Sequence, residues 1–227
     1  MCGRFTLSAD PEELRAAFPD FKFPAKYAPR YNIAPTQPIA AVPNDGRNAV
    51  DFFVWGLIPS WAKDPAIGSR LINARAETLG EKPSFRSAYQ RRRCLILADG
   101  FFEWQASAGG KTKTPHFISR RDRKPFAFAG LWELWSAPDG SEVKSATIIT
   151  TEPNALIGKL HNRMPVILAE DSWERWIDPA ERKPADLNDL LKAYPAELMA
   201  YFPVSKLVNS PANDIPAVLE PARDLNP

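Results

Sequence analysis

The residue types best suited to chemistry stand at the start of the chain, in Met1-Cys2-Gly3-Arg4-Phe5. A small residue in second place generally lets an aminopeptidase remove the initiator methionine. Cys2 would then carry a free α-amine and a free thiol on adjacent carbons. With unperturbed pKa values of ~7.7–8.0 and ~8.5, both groups are partly nucleophilic near neutral pH. Such a pair can attack one aldehyde in succession. The amine forms an imine, and the sulfur adds to it and closes a thiazolidine ring. The same terminus could attack an amide carbonyl, with the α-amine as its own base. An ordinary buried or terminal cysteine is the reading without chemistry.

A terminal aminothiol needs partners that hold its amine unprotonated, orient the electrophile and move protons at the leaving oxygen. Glu103, in Gly100-Phe101-Phe102-Glu103-Trp104, is a carboxylate set among large aromatics, a costly placement unless a cation or donor meets it. The α-ammonium of Cys2 would be such a partner; strand alternation could instead point Glu103 to solvent. His161, in His161-Asn162-Arg163-Met164-Pro165, is one of only two histidines in the chain and lies at a helix–strand junction. There it could face a cleft and donate a proton to a sugar ring oxygen, or be a structural histidine bonded to backbone. The other histidine, His116, has no comparable polar company and reads as peripheral. In Asn73-Ala74-Arg75-Ala76-Glu77, Asn73 offers an orienting amide and Arg75 an anion contact. Arg4 and Arg163 could complete phosphate clamps along a nucleic-acid strand. Trp61, Phe85 and Trp104 could stack on or wedge between bases, with core packing as the alternative.

Composition narrows the field. The 227 residues are 44% hydrophobic and 25% charged, values of a globular chain long enough to bury a substantial core. The 23 prolines and 11 glycines do not gather into a linker, so one domain over residues 1–227 is expected. The acidic first fifteen residues lack an apolar signal core, and nothing approaches a membrane-spanning run. Two cysteines, Cys2 and Cys94, are too few for a disulfide scaffold and fit a reducing cytoplasm. With only His116 and His161 beside them, neither a metal nor any other cofactor is expected. A net charge of +2 does not announce nucleic-acid binding, although a local positive groove is compatible with it.

These residues must be carried by elements that the sequence also outlines. Asp10 caps a helix running to about Phe18, with Pro11 in its first turn and Glu13 closing a capping box. Residues 21 to 43 read as proline-punctuated loop. Strands are expected over 51–57 and 94–98, with a short helix over 84–91 between them. Residues 126–134 and 143–150 flank Pro138-Asp139-Gly140 and pair as a hairpin. A short helix over 154–159 precedes a strand over 164–168, and amphipathic helices follow over 171–177 and 186–193. Strands in the middle and helices at the edges imply an α+β fold: a curled, barrel-like antiparallel core with peripheral helices. No glycine-rich nucleotide fingerprint is present.

Six blocks in order resemble the SOS response-associated peptidase (SRAP) family: Met1-Cys2-Gly3-Arg4-Phe5, Tyr31-Asn32-Ile33-Ala34-Pro35, Trp55-Gly56-Leu57-Ile58-Pro59-Ser60-Trp61, Asn73-Ala74-Arg75-Ala76-Glu77, Gly100-Phe101-Phe102-Glu103-Trp104 and His161-Asn162-Arg163-Met164-Pro165. Phe102 stands where many members carry tyrosine, and the stretch after Leu168 holds little of the signature. The resemblance implies a sensor and shield of abasic sites in single-stranded DNA, with the processed Cys2 forming a thiazolidine with the ring-opened deoxyribose. By that likeness Asn73 orients Cys2 and the sugar, Glu103 manages the α-amine, His161 assists ring opening and proton transfer, and His161 and Glu103 together suit the slow reversal of the crosslink. Arg4, Arg75 and Arg163 would hold phosphates around a kinked strand. The family name implies a peptidase, or hydrolase, activity, describing removal of Met1 or other self-processing. The imine also permits a lyase side reaction, β-elimination, with which ring closure competes. The implied partner is abasic single-stranded DNA, including single-strand/double-strand junctions, bound by a cytoplasmic monomer that is nucleoid-associated when on DNA, with no membrane. Two rival readings are an N-terminal-nucleophile amidotransferase and a non-covalent single-strand binder. The first lacks its other motifs here, and the second leaves Glu103 and His161 without purpose.

Overall fold

β-branched and aromatic residues dominate the middle of the chain. In the computed structural model, which describes residues 2–107, 109–110 and 112–222, they become strands. In chain order the elements are β1 (Phe5–Leu7), α1 (Pro11–Ala17), β2 (Arg30–Ile33), β3 (Pro38–Pro43), β4 (Asp51–Trp55), β5 (Asn73–Arg75), α2 (Arg86–Arg91), β6 (Arg93–Ala98), β7 (Gly100–Ala106), β8 (Lys113–Arg120), β9 (Phe126–Ser136), β10 (Glu142–Thr151), β11 (Met164–Pro165), β12 (Ile167–Leu168), α3 (Trp173–Trp176) and β13 (Met199–Pro203). Short 3-10 turns join many of them.

The expected α+β architecture with a barrel-like core is present. Antiparallel pairing runs β4–β3–β6–β9–β10, and β10 returns to β4 in parallel through Ser145 opposite Val54 and Ala146 opposite Trp55. That one parallel seam closes a five-stranded barrel and removes its free edges. A second sheet, ordered β13-β8-β7-β1-β2, packs against it. Phe5 of β1 enters the shared core, with its ring 5.0 Å from Trp55 and 5.8 Å from Phe128 in edge-on geometry. Alternation along β7 divides the second sheet's faces. Phe101 joins the main core, whereas Phe102 and Phe117 form a smaller one under Val204, Val208 and Val218.

Local signals are obeyed where they are strongest. Asp10 accepts from the Glu12 and Glu13 amides at 2.8 and 2.9 Å, and the Asp10 amide donates in turn to Glu13 Oε2 at 3.2 Å. The β9–β10 hairpin turns through Gly140, whose φ of +85° suits glycine. Arg93, fully buried, donates to the carbonyls of Tyr89, Gln90, Trp176, Asp178 and Ala180, fastening the ends of α2 and α3 to the barrel.

Four expectations need correction. Residues 21–43 are not all loop, because β2 and β3 form there; Pro38 and Pro43 end β3, where a missing N–H does least harm. The strand expected over 164–168 is broken: Val166 bridges β11 on β10 to β12 on β9. The helix expected over 186–193 is replaced by 3-10 turns at Pro184–Asp186 and Asn188–Leu190 that bury Leu187 and Leu191. A segment this short, bounded by Pro184 and Pro195, gains too little to offset helix nucleation. The helix over 171–177 shrinks to α3 after a 3-10 turn for the same reason.

Candidate active site

Cys2 precedes β1 and is wholly buried, with a free thiol. Its position is set from three sides. The Phe102 amide of β7 donates to the Arg4 carbonyl at 2.9 Å, the Cys2 Sγ lies 3.9 Å from the same oxygen, and Asn73 Nδ2 donates to the Cys2 carbonyl at 2.8 Å. Just beyond β1, Asp99 accepts from the Thr6 hydroxyl, the Ser8 amide and hydroxyl, and the Ala9 amide. Charge-assisted bonds of this kind contribute roughly 1.5–3 kcal/mol each. They hold the start of the chain in register.

Asn73 comes from β5, paired in parallel with β10 opposite Ile148. Alternation sends Ala74 into the core and leaves Asn73 and Arg75 on the other face. The Asn73 Oδ1 is buried and has no hydrogen-bond partner among the described residues, so it can still accept a bond.

Glu103 on β7 is 3% exposed, which excludes the solvent-facing alternative. Burial pushes its carboxyl up to about 7, with the Lys113 ammonium pulling weakly the other way. Burial also pushes the Cys2 thiol far above its ordinary value, and the nearby Glu103 charge adds to the shift. Cys2 and Glu103 therefore share one electrostatic environment.

His161 follows the 3-10 turn Ile157–Lys159. Gln105 Nε2 of β7 donates to the Lys159 carbonyl at 3.0 Å, which ties this turn to the strand that carries Glu103. The Arg163 amide donates to His161 Nδ1 at 3.0 Å. That nitrogen must present its lone pair, so the neutral ring carries its proton on Nε2. Burial, and in smaller measure Lys113, holds His161 below the ordinary imidazole range.

The other candidates differ in how they are held. Arg4 donates through Nη1 to Asn32 Oδ1 and the Val208 carbonyl, both at 2.7 Å, and its guanidinium lies 5.7 Å from the Trp104 ring centre. Arg163 grips Glu77 with two bonds of 2.8 and 2.9 Å and also donates to the Thr150 carbonyl. Arg75 is exposed beside Asn73. Trp104 is half-buried, its Nε1 donating to Asn209 Oδ1 at 2.8 Å. Trp61 is 59% exposed and Phe85 is 7% exposed within the main core.

Sequence reasoning passed over three participants. Lys113 acts on both Glu103 and His161, but nothing in its local sequence marks it. Asn32 lay inside a noted motif without a role; wholly buried, it also donates to the Ser210 and Asn213 carbonyls, so it holds Arg4 on one side and the C-terminal turns on the other. His116 is not peripheral. It is buried on β8 directly opposite Glu103, with Nδ1 bonded to the Thr114 carbonyl. Among the described residues no group of three or more His, Cys, Asp or Glu could hold a metal ion. The arrangement combines a buried thiol, a carboxyl that titrates near neutrality, a neutral imidazole donor and an amide anchor. That set suits proton-coupled addition to a carbonyl.

The chain is similar in sequence and in overall fold to known proteins. The profile of the SOS response associated peptidase (SRAP) family matches residues 1–211. The chain is 46% identical over 223 residues to the abasic site processing protein YoqW of Bacillus subtilis, spanning 97% of this chain and 99% of that one. It is 32% identical over 265 positions to the abasic site processing protein HMCES of Gallus gallus, spanning 97% and 78% of the two chains. A crystal structure of a protein from Bacteroides thetaiotaomicron superposes with a TM-score of 0.87 at 28% identity, covering 97% of this chain and 100% of that one.

Proposed function

Because the chain belongs to the SOS response associated peptidase family, we propose that it processes abasic sites in single-stranded DNA, joining itself to the lesion through Cys2 after loss of Met1. The relatives named for abasic site processing support the substrate class. The observation that carries the chemistry is the Asn73 amide on the Cys2 carbonyl at 2.8 Å, beside a buried carboxyl that titrates near neutrality.

The abasic deoxyribose must first open. The His161 Nε2 proton passes to the ring oxygen as the C1′–O4′ bond breaks, and Nε2 takes the C1′ hydroxyl proton in return, so the aldehyde forms and the imidazole ends neutral. A thiol held protonated by burial leaves the α-amine as first nucleophile. The amine attacks C1′, and Glu103 relays the two amine protons in turn to the aldehyde oxygen, which leaves as water as the imine forms. Sulfur then adds to the imine carbon while the thiol proton moves to nitrogen, closing the thiazolidine. The same groups in reverse order release the protein. Closure removes the electron sink that β-elimination requires, so any lyase activity is minor. Met1 removal is the step to which the peptidase name would apply.

Incubation with an oligonucleotide carrying one abasic site should yield an adduct that survives denaturation, and Cys2→Ala should abolish it. An equally stable adduct from the alanine variant would overturn the assignment, as would an intact mass that retains Met1 in crosslinked protein.

A further inference from the structure

Two of the arginines suited to phosphate are already engaged. Arg4 is committed to Asn32 and Val208, and Arg163 to Glu77 and Thr150. These bonds already occupy part of each guanidinium, although the Arg163–Glu77 pair is itself exposed on the Glu77 side. Cations without such commitments lie elsewhere. Lys113, at the start of β8, and Lys206, in the 3-10 turn Lys206–Asn209, form no ion pair among the described residues. Both line one cleft of about 480 Å³ with Trp104, Thr112 and Asn209.

That cleft is prearranged. Asn209 holds the Trp104 indole, and Val208, its neighbour in the turn, accepts from Arg4, two residues from the thiol. The cleft also adjoins the reacting groups, since its wall residue Trp104 directly follows Glu103 on β7 and Lys113 pairs with Ala106 at the end of the same β7–β8 ladder.

Building on the DNA reading above, we propose that this cleft is a phosphodiester subsite, in which Lys113 and Lys206 take a backbone phosphate next to the abasic sugar, against the Trp104 wall. The assignment has a mechanistic consequence. Free Lys113 disfavours protons on Glu103 and His161. A phosphate seated on it cancels that effect, so both groups hold protons more firmly once DNA is bound. His161 then becomes the better-supplied proton donor when substrate is present.

Binding is separated from crosslinking by a single strand that carries a tetrahydrofuran abasic analogue, which has no aldehyde. Lys113→Gln and Lys206→Gln should each weaken binding about fivefold and each flatten the salt dependence by about 0.7 in log–log slope. Lys113→Arg should bind like the parent. Methylphosphonate substitution along the strand should find one linkage whose neutralisation weakens the parent yet leaves Lys113→Gln unaffected. Parent-like binding by both glutamine variants, or no linkage that silences Lys113→Gln, would overturn the subsite. If true abasic DNA forms no adduct while the analogue shows the lysine dependence, the subsite stands and the covalent reading falls. If the adduct forms and the lysine variants bind normally, the subsite alone falls.

Discussion

At the scale of single residues, the site rests on what burial does to ionisable groups. The Glu103 carboxyl is raised from 4.5 to about 7, chiefly by loss of hydration. Its folded value exceeds its unfolded value, so the folded state binds the proton more tightly between the two. Stability is then unaffected below about pH 4.5 and declines as pH rises through about 7. Glu103→Gln removes that decline. In urea unfolding at about pH 8 the variant should exceed the parent by about 3 kcal/mol, with no such gap near pH 4. Matching midpoints at both pH values would show that the carboxyl is not perturbed. The same variant should lose the pH dependence of adduct formation around neutrality, because a glutamine can neither take nor return a proton. The identity of Glu103 as an unusual carboxylate was legible from its aromatic neighbours. The size and cause of its perturbation were not, because they come from β8 and the barrel packed over it.

At the scale of elements, the site is a meeting of segments that are distant in sequence. Asn73 and Cys2 are 71 residues apart and are joined only because β5 pairs with β10 while β1 pairs with β7. The C-terminal turns contribute in the same way. The Asp214 carboxylate accepts from the Tyr31 and Asn32 amides at 2.6 and 2.9 Å and from the Arg30 guanidinium, fixing that segment to β2. Asp214→Ala leaves two amides without their acceptor and should cost about 2 kcal/mol. Hydrogen exchange at Tyr31 and Asn32 should accelerate more than at β9. Unchanged protection at those amides would mean that the turns are held by apolar packing alone. The Tyr31-Asn32-Ile33-Ala34-Pro35 block was visible as a motif, but its role was hidden. Its partners lie near the opposite end of the chain, in residues with no signature of their own.

At the scale of the whole molecule, the barrel is the base against which the second sheet, with Cys2 and Glu103, is packed. Its closure leaves little spare volume: a Cβ added at Gly130 would lie 2.6 Å from Ile96 Cδ1 and 2.9 Å from the Cys94 sulfur. Gly130→Val should therefore destabilise the fold by about 2 kcal/mol, lowering Tm by about 6 °C, without altering the chemistry of Cys2. A variant that melts like the parent would show that β6 and β9 can part without cost. No helix among the described residues is long and apolar enough to cross a membrane.

The amino-acid sequence by itself determined the features that reside in residue identity and short-range spacing. These were the reactive second residue, the ordered motif blocks, the capping box of α1 and the β9–β10 hairpin. Each depends on neighbours a few positions away, where local hydrogen bonding and side-chain type decide the outcome. Only the tertiary structure decided which groups surround Cys2, that His116 faces Glu103, that Arg4 and Arg163 are engaged within the protein, and that Lys113 reaches the reacting groups. Those outcomes depend on strand pairing, above all β1 with β7, β7 with β8 and β5 with β10. They depend equally on the desolvation that follows when the second sheet closes over the barrel. Neither quantity is a property of any local stretch of chain.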